Sequence, residues 1–130
     1  MGRLVPSSLS GSSESLTLLA SAARTVTVAS DDQTNNDNRG VHVVLDVTNA
    51  GTGNVTLTIQ GKDELSGKYY TLLAGAAVST NSTNVYKVFP GSTVTANVSA
   101  NDILPRVWRV SVTHNNSNSI TYSVGASVVP

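Results

Sequence analysis

Two successive segments between positions 40 and 73 place an apolar residue at every second position. These residues are Val41, Val43, Leu45 and Val47, followed by Val55, Leu57 and Ile59. Because successive side chains of a β-strand point to opposite faces, the pattern predicts two strands that each bury one face. The segment 49–54 between them is rich in Asn and Gly, which favour turns, so the sequence predicts a β-hairpin. A second turn at 62–68 then leads to an aromatic strand at 69–73.

Further short segments of the chain carry strand patterns separated by turn residues. Strands are expected at 16–19 and 24–28, as a pair or one broken strand, and at 84–89, 93–98, 107–112 and 120–128. The last two are expected to form another hairpin around the Asn-rich turn 115–118. With no helix-length pattern, the sequence predicts an all-β fold, a single β-sandwich or jelly-roll-like domain of about eight antiparallel strands.

The composition narrows the class of protein further. The 130 residues suit one domain, and Ser, Thr and Asn make up about a third of them. Eight basic and eight acidic residues give a neutral chain, so no nucleic-acid partner is expected. Cysteine is absent, which excludes disulfide and thiolate sites. No stretch resembles a signal peptide or a membrane span, so we expect no membrane partner.

Residues 1–15 are rich in serine and differ in composition from the rest of the chain. We therefore divide the chain into an N-terminal arm (1–15) and a β-sandwich domain (16–130). A frayed terminus is one interpretation of this segment. The other is an extended arm whose Leu4, Val5 and Leu9 fill pockets on a neighbouring subunit. These three residues are therefore candidate interface residues.

The side chains that could carry chemistry are few. His42 and His114 are the only imidazoles, and no serine lies in a nucleophile-elbow glycine pattern. Asp31, Asp32 and Asp37 fall in a polar loop, but their spacing does not match a helix-loop-helix calcium site. The sequence therefore predicts no enzyme and no catalytic, cofactor-binding or metal residues.

Trp108, the only tryptophan, lies between Arg106 and Arg109. It could pack in the core, anchor a subunit interface, or form a sugar-binding platform with the tyrosines, which are Tyr69, Tyr70, Tyr86 and Tyr122. Strand alternation puts one arginine on each face, and burying an unpaired guanidinium is costly. This favours an oligomer in which Arg106, Trp108 and Arg109 are interface residues, so that Trp108→Ala weakens association more than the fold.

Several segments of the chain resemble a family of small structural proteins of tailed bacteriophages. They are 39–48 (RGVHVVLDVT), 58–63 (TIQGKD), 66–73 (SGKYYTLL), 104–110 (LPRVWRV) and 120–126 (ITYSVGA). The resemblance covers residues 16–129. It implies a role in the virion, as a capsid decoration (cement) protein, and brings no catalytic residues with it.

The leading hypothesis is therefore a non-enzymatic decoration protein that is made in the host cytoplasm and binds the outer capsid surface. Its partners would be the major capsid protein and further copies of itself, as a homotrimer or, second, a homodimer. The alternatives are a carbohydrate-binding module of a phage adhesin, with an exposed aromatic patch, and a tail or head-completion component.

Overall fold

A computed structural model describes residues 13–130, which fold into ten β-strands. The strands are β1 (Glu14–Arg24), β2 (Val28–Ala29), β3 (Gln33–Thr34), β4 (Gly40–Asn49), β5 (Val55–Lys62), β6 (Tyr69–Ala74), β7 (Ser82–Val88), β8 (Ser99–Ala100), β9 (Val107–His114) and β10 (Ile120–Val129). Within this range no helix is long and apolar enough to cross a membrane. The all-β prediction is confirmed.

The strands form two sheets that pack face to face. Sheet 1 has the order β1-β10-β4-β7-β8, and sheet 2 has the order β2-β9-β5-β6 with β3 also paired to β9. All pairings are antiparallel except β7 with β8. The fold is therefore a β-sandwich. It has more strands than the sequence predicts because β2, β3 and β8 contain only two residues each, too few for a recognisable alternation.

The core lies between the inner faces of the two sheets. The alternating residues of β4 and β5 are buried, as predicted. Alternating residues of β10, next to β4 in sheet 1, and of β9, next to β5 in sheet 2, are buried with them. The largest side chains without exposed surface are Trp108, Tyr122, Leu45, Leu57 and Ile59. Burial of such side chains is the main favourable term in folding.

The predicted hairpin between β4 and β5 is wrong, because these strands belong to different sheets. The segment between them crosses the sandwich: Ala50 is buried and its N–H donates to Asn81 Oδ1 at 2.8 Å. The predicted hairpin between β9 and β10 is wrong for the same reason. Alternation shows that a strand buries one face, but the next strand can lie beside it or opposite it. The β5–β6 turn is a hairpin, with Gly67 N–H bonded to Asp63 O at 2.7 Å.

The first strand is continuous but irregular. Its pairing with β10 shifts register twice, between Thr17 and Leu19 and between Leu19 and Ala22. The first shift is a β-bulge, and it buries the adjacent residues Leu18 and Leu19 together. The prediction of a strand pair or one broken strand at 16–28 is thus resolved as one bulged strand followed by the short β2.

The predicted strand at 93–98 is wrong. Val94 is 67% exposed, and only Ser99–Ala100 pair with β7. The Ser99 hydroxyl holds a turn instead, since it donates to Thr93 O at 2.7 Å and accepts from Thr95 N–H at 2.9 Å. Asn97 completes this turn with a φ of 64°, a conformation that Asn tolerates better than most residues.

Candidate functional site

The outer face of sheet 2 carries a network of polar and aromatic side chains, which we call the Arg109 patch: Asp32, Gln60, Lys62, Tyr69 and Arg109. Alternation along β9 and β5 points Gln60, Lys62 and Arg109 away from the core. The guanidinium carbon of Arg109 lies 3.5 Å from the centroid of the Tyr69 ring. Its Nε–H donates to Gln60 Oε1 at 2.8 Å. The arginine is therefore fixed by a stacked ring on one strand and an amide on another.

Asp32 completes the patch from the segment between β2 and β3. Its carboxylate accepts hydrogen bonds from the Tyr69 hydroxyl at 2.7 Å and from Lys62 Nζ at 2.9 Å. These bonds, from Tyr69 first and then Lys62, lower the pKa of Asp32. The carboxylate thus positions the phenol on which Arg109 stacks. Within residues 13–130 no three His, Cys, Asp or Glu side chains are grouped so that they could hold a metal ion.

The patch has the chemistry of a docking surface. Tyrosine and arginine are enriched at the energetic centres of protein interfaces. Of the N–H groups of the Arg109 side chain, only Nε–H is hydrogen-bonded to another described residue. Its terminal nitrogens can therefore donate to a partner carboxylate or carbonyl. Because the side chain is already held in place, little conformational entropy is lost when a partner binds. Small hydroxylated residues surround it on this face: Thr56, Thr58, Ser111 and Thr113.

The structure separates the candidate interface residues on β9. Trp108 has no exposed surface and lies in the core, so it cannot anchor an interface, contrary to the prediction. Arg106 precedes the strand, which begins at Val107, and its guanidinium donates to Asn36 Oδ1 at 3.0 Å on the surface. Neither Arg106 nor Arg109 is therefore buried, and the argument that an oligomer must cover one of them fails. Arg109 alone lies on the outer face of sheet 2.

The predicted aromatic platform for sugars is not formed by these side chains. Tyr86 and Tyr122 are buried together with Trp108. Tyr70 is 47% exposed but is paired with Gly61, where its ring lies next to the glycine. Tyr69 is stacked beneath Arg109. The outer surface of the described residues therefore presents no continuous aromatic patch.

The two histidines occupy unrelated positions. His42 lies on the outer face of β4, between Ser127 and Lys87 on the neighbouring strands. His114 lies at one end of the sandwich, and its Nε2 is 2.8 Å from the hydroxyl of Tyr122, so the pair connects β9 of sheet 2 to β10 of sheet 1. Burial, and then the positive charge of Arg24, lower the pKa of His114.

Arg24 has a structural role that the sequence did not indicate. Its guanidinium donates to the carbonyl oxygens of Ala20 at 2.6 Å, Tyr122 at 2.9 Å and Ala22 at 3.3 Å. It also lies 4.8 Å from the centroid of the Tyr122 ring. The side chain thus occupies the second register shift between β1 and β10, where regular pairing is interrupted.

Leu4, Val5 and Leu9 lie outside the described residues, so their predicted interface role stays a prediction. The predicted arm also stays a prediction for residues 1–12. Of its last residues, Glu14 and Ser15 already belong to β1.

The sequence matches no protein-family model and no curated protein. Its fold is similar to that of the SPBc2 prophage-derived protein YomS, with a TM-score of 0.56 and 12% identity over 98% of this chain and 100% of that chain. Chains in the structures of infectious bursal disease virus strains Gx and Gt align with TM-scores of 0.49 and 0.47, each at 12% identity. The alignments cover 91% and 92% of this chain but only 32% and 33% of those chains.

Proposed function

We propose that this chain is a non-enzymatic structural protein of a phage particle, and more specifically a decoration protein on the outer capsid surface. It would bind the major capsid protein and stabilise the contacts between capsomers. The resemblance of its sequence segments to tailed-phage structural proteins supports this role. The fold is consistent with it, since a prophage-derived protein has a similar sandwich.

The Arg109 patch is the observation that carries the proposal. A decoration protein needs a pre-organised surface that meets a large partner, and the outer face of sheet 2 offers a fixed Arg–Tyr stack among small polar residues. The titratable groups of the patch are engaged with one another on an open strand face. That arrangement suits docking better than proton transfer, which requires groups that converge on a bound substrate.

Self-association belongs to the same proposal. Capsid shells present threefold and twofold positions, and oligomers are usually symmetric, so we propose a homotrimer, with a homodimer second. The protein would be made in the host cytoplasm and join the particle at its outer surface. Mass spectrometry of purified virions tests its presence there, and cryo-electron microscopy tests its position. Density in the tail or at the head vertex would instead assign the chain to the tail or to head completion.

The docking surface is tested by adding purified protein to shells that lack it and measuring the bound fraction. Arg109→Ala removes the stacked guanidinium and should weaken binding roughly thirty-fold, the equivalent of a hot-spot loss of about 2 kcal/mol. The matched control is Arg39→Ala. Arg39 is an exposed arginine outside the patch, and its guanidinium carbon lies 5.5 Å from the centroid of the Phe89 ring. This variant should bind normally.

Thermal melts of both variants should match those of the original protein, since neither arginine is part of the core. If Arg109→Ala binds shells as tightly as Arg39→Ala, the patch is not the docking surface. Absence of the protein from purified virions would overturn the proposed function itself.

A further inference from the structure

One edge of sheet 1 is only partly closed. The strand at this edge is β8, which pairs only with Lys87 and Val88 at the end of β7. Residues 82–86 of β7 therefore have β4 on one side and no strand of the described chain on the other. We call this open side the β7 edge. It contains no charged residue and no proline, which are the residues that usually protect an edge strand from further pairing.

The backbone groups at the β7 edge follow from the regular alternation of the strand. The N–H of Lys87 points away from β4 and donates to Val98 O at 2.9 Å. Every second residue of a strand directs its N–H and C=O to the same side. Those of Thr83 and Val85 therefore also point away from β4, and within residues 13–130 these four groups have no hydrogen-bond partner. The edge thus presents two donors and two acceptors with the spacing of a β-ladder.

An open groove of about 550 Å³ lies at the β7 edge. This is the volume of about 18 water molecules at about 30 Å³ each, which gives room for a few residues of an extended segment. Val85 and Val98 line the groove and are 37% and 39% exposed. Ala76, Ala77 and Ala96 also line it, and their small side chains leave space for those of an added strand. Unpaired backbone groups beside an apolar groove are the features that bind an extended peptide.

The segment 3–7 of this chain (RLVPS), which lies outside the described residues, has a sequence that suits the β7 edge. Leu4 and Val5 are adjacent apolar residues, so in a strand one faces the groove and the other lies beside Val85. Leu9 stands alone among serines and glycine. Pro6 has no N–H, but its nitrogen points to solvent when Val5 pairs with β7, and proline is tolerated there in an edge strand.

The length of the chain before Ser13 favours a neighbouring copy as the source of this segment. The strand registers place Ser13 level with Phe89, just beyond the far end of β7. The β7 edge is then at least four residues away along the strands, about 13 Å, and four strand spacings across the sheet, about 19 Å. The direct distance is about 23 Å, whereas the six residues back to Ser7 span at most about 21 Å when fully extended. A path over the side chains of the sheet is longer still.

We propose that residues 3–7 of a neighbouring copy of this chain add a strand to the β7 edge. The added strand pairs its backbone with that of Thr83 and Val85, and its apolar side chains cover the groove. This inference rests on the proposed self-association and names its contact. Reciprocal exchange of the segment gives a dimer, and cyclic exchange gives a trimer. The contact lies on sheet 1 and leaves the Arg109 patch on sheet 2 free for the capsid.

Two substitutions in the full chain test the contact from its two sides. Val85→Pro removes an open N–H of the β7 edge and keeps the bonds to β4, because this N–H points away from β4. Val5→Asp places a charge in the segment. Each variant alone should sediment as a monomer in analytical ultracentrifugation, whereas the original chain should sediment as an oligomer. The matched control is Val94→Pro, at a 67% exposed position in the neighbouring turn that does not line the groove, and it should stay oligomeric.

An equimolar mixture of the two variants gives the decisive result. Val85→Pro keeps an intact segment 3–7 and Val5→Asp keeps an intact β7 edge, so the mixture should form one contact and a particle with twice the mass of either variant. Circular dichroism shows whether the variants are folded. If the proline variant unfolds, Val85→Lys replaces it, because it keeps the strand backbone and places a charge at the same exposed position.

A mixture that stays monomeric would overturn the inference, as would a Val94→Pro variant that dissociates like Val85→Pro. An original chain that is monomeric but still binds shells would overturn this contact and the proposed homotrimer. It would leave the proposed attachment through the Arg109 patch in place, so the two proposals fail separately.

Discussion

Trp108→Ala tests whether this side chain belongs to the core of one chain or to an interface between chains. The indole has no exposed surface and packs within the continuous core between the sheets. Truncating a buried tryptophan to alanine costs about 3 to 5 kcal/mol of folding free energy. Domains of this size unfold with about 5 to 15 kcal/mol, so the variant should fold but with little stability left.

The loss should lower the melting temperature by roughly 12 to 20 °C, at about 4 °C per kcal/mol for a domain between 100 and 150 residues. Thermal melts of the original protein and of the variant are recorded over a wide range of protein concentration. A core defect lowers the melting temperature equally at every concentration, whereas an interface defect makes it depend on concentration.

Trp108→Phe is the matched control, because it keeps an aromatic ring in the core and removes a buried N–H that has no partner in the described chain. It should cost on the order of 1 to 2 kcal/mol. A Trp108→Ala variant that melts normally when concentrated and early only when diluted would refute the core assignment.

The remaining predictions concern one titratable group and one glycine. Because the pKa of His114 is lowered in the folded state from its ordinary value of 6.5, the unfolded chain binds its proton first as the pH falls. The contribution of His114 to stability is therefore complete above pH 6.5 and is lost as the pH falls from there towards the folded-state pKa, with a slope of at most about 1.4 kcal/mol per pH unit. Urea unfolding at several pH values should show this slope in the original protein and in His42→Gln but not in His114→Gln; persistence of the slope in His114→Gln would contradict the assignment. Gly75→Ala should destabilise the fold by about 1 to 3 kcal/mol, because the new Cβ would lie 2.7 Å from Tyr86 Cε1 and 2.9 Å from the backbone oxygen of Leu57. Gly125→Ala is its control, since the nearest atom to that Cβ is Leu16 O at 3.6 Å; equal melting temperatures for the two variants would show that the sandwich opens at Gly75 without cost.

The sequence predicted the class of fold and the buried faces because both depend on a local period. Val41 to Val47 and Val55 to Ile59 show which side chains face inwards, and the structure confirms them. The two hairpins predicted between neighbouring strands are wrong, since the same alternation serves a strand beside its predecessor and a strand opposite it. The strand predicted at 93–98 is the remaining error. Val94, Ala96 and Val98 alternate as in a strand, but they lie in a turn held by the Ser99 hydroxyl.

The candidate site was predicted only in part. Arg109 was a candidate interface residue, but its partners Tyr69 and Asp32 come from segments 40 and 77 positions away, and no local pattern relates them. Arg106 was misjudged because β9 begins one residue after it, at Val107, so the strand alternation does not extend to Arg106. Trp108 was misjudged with it, because its place at an interface had been argued from the need to cover a buried arginine. Residue type identified the arginine, whereas the chain topology determined its surroundings.

The pairing of the first strand with the last also bears on how the protein is made. β10 lies between β1 and β4 in sheet 1 and pairs with both. The sheet therefore cannot form as a continuous unit until β10, which ends at Val129, has left the ribosome. Nascent chains that stop earlier present β1 and β4 with bare apolar faces and unpaired backbone edges. Sandwiches with such distant pairings fold in milliseconds to seconds. Completion of sheet 1 therefore waits for β10, and a chain shortened at β10 loses the partner of two strands at once.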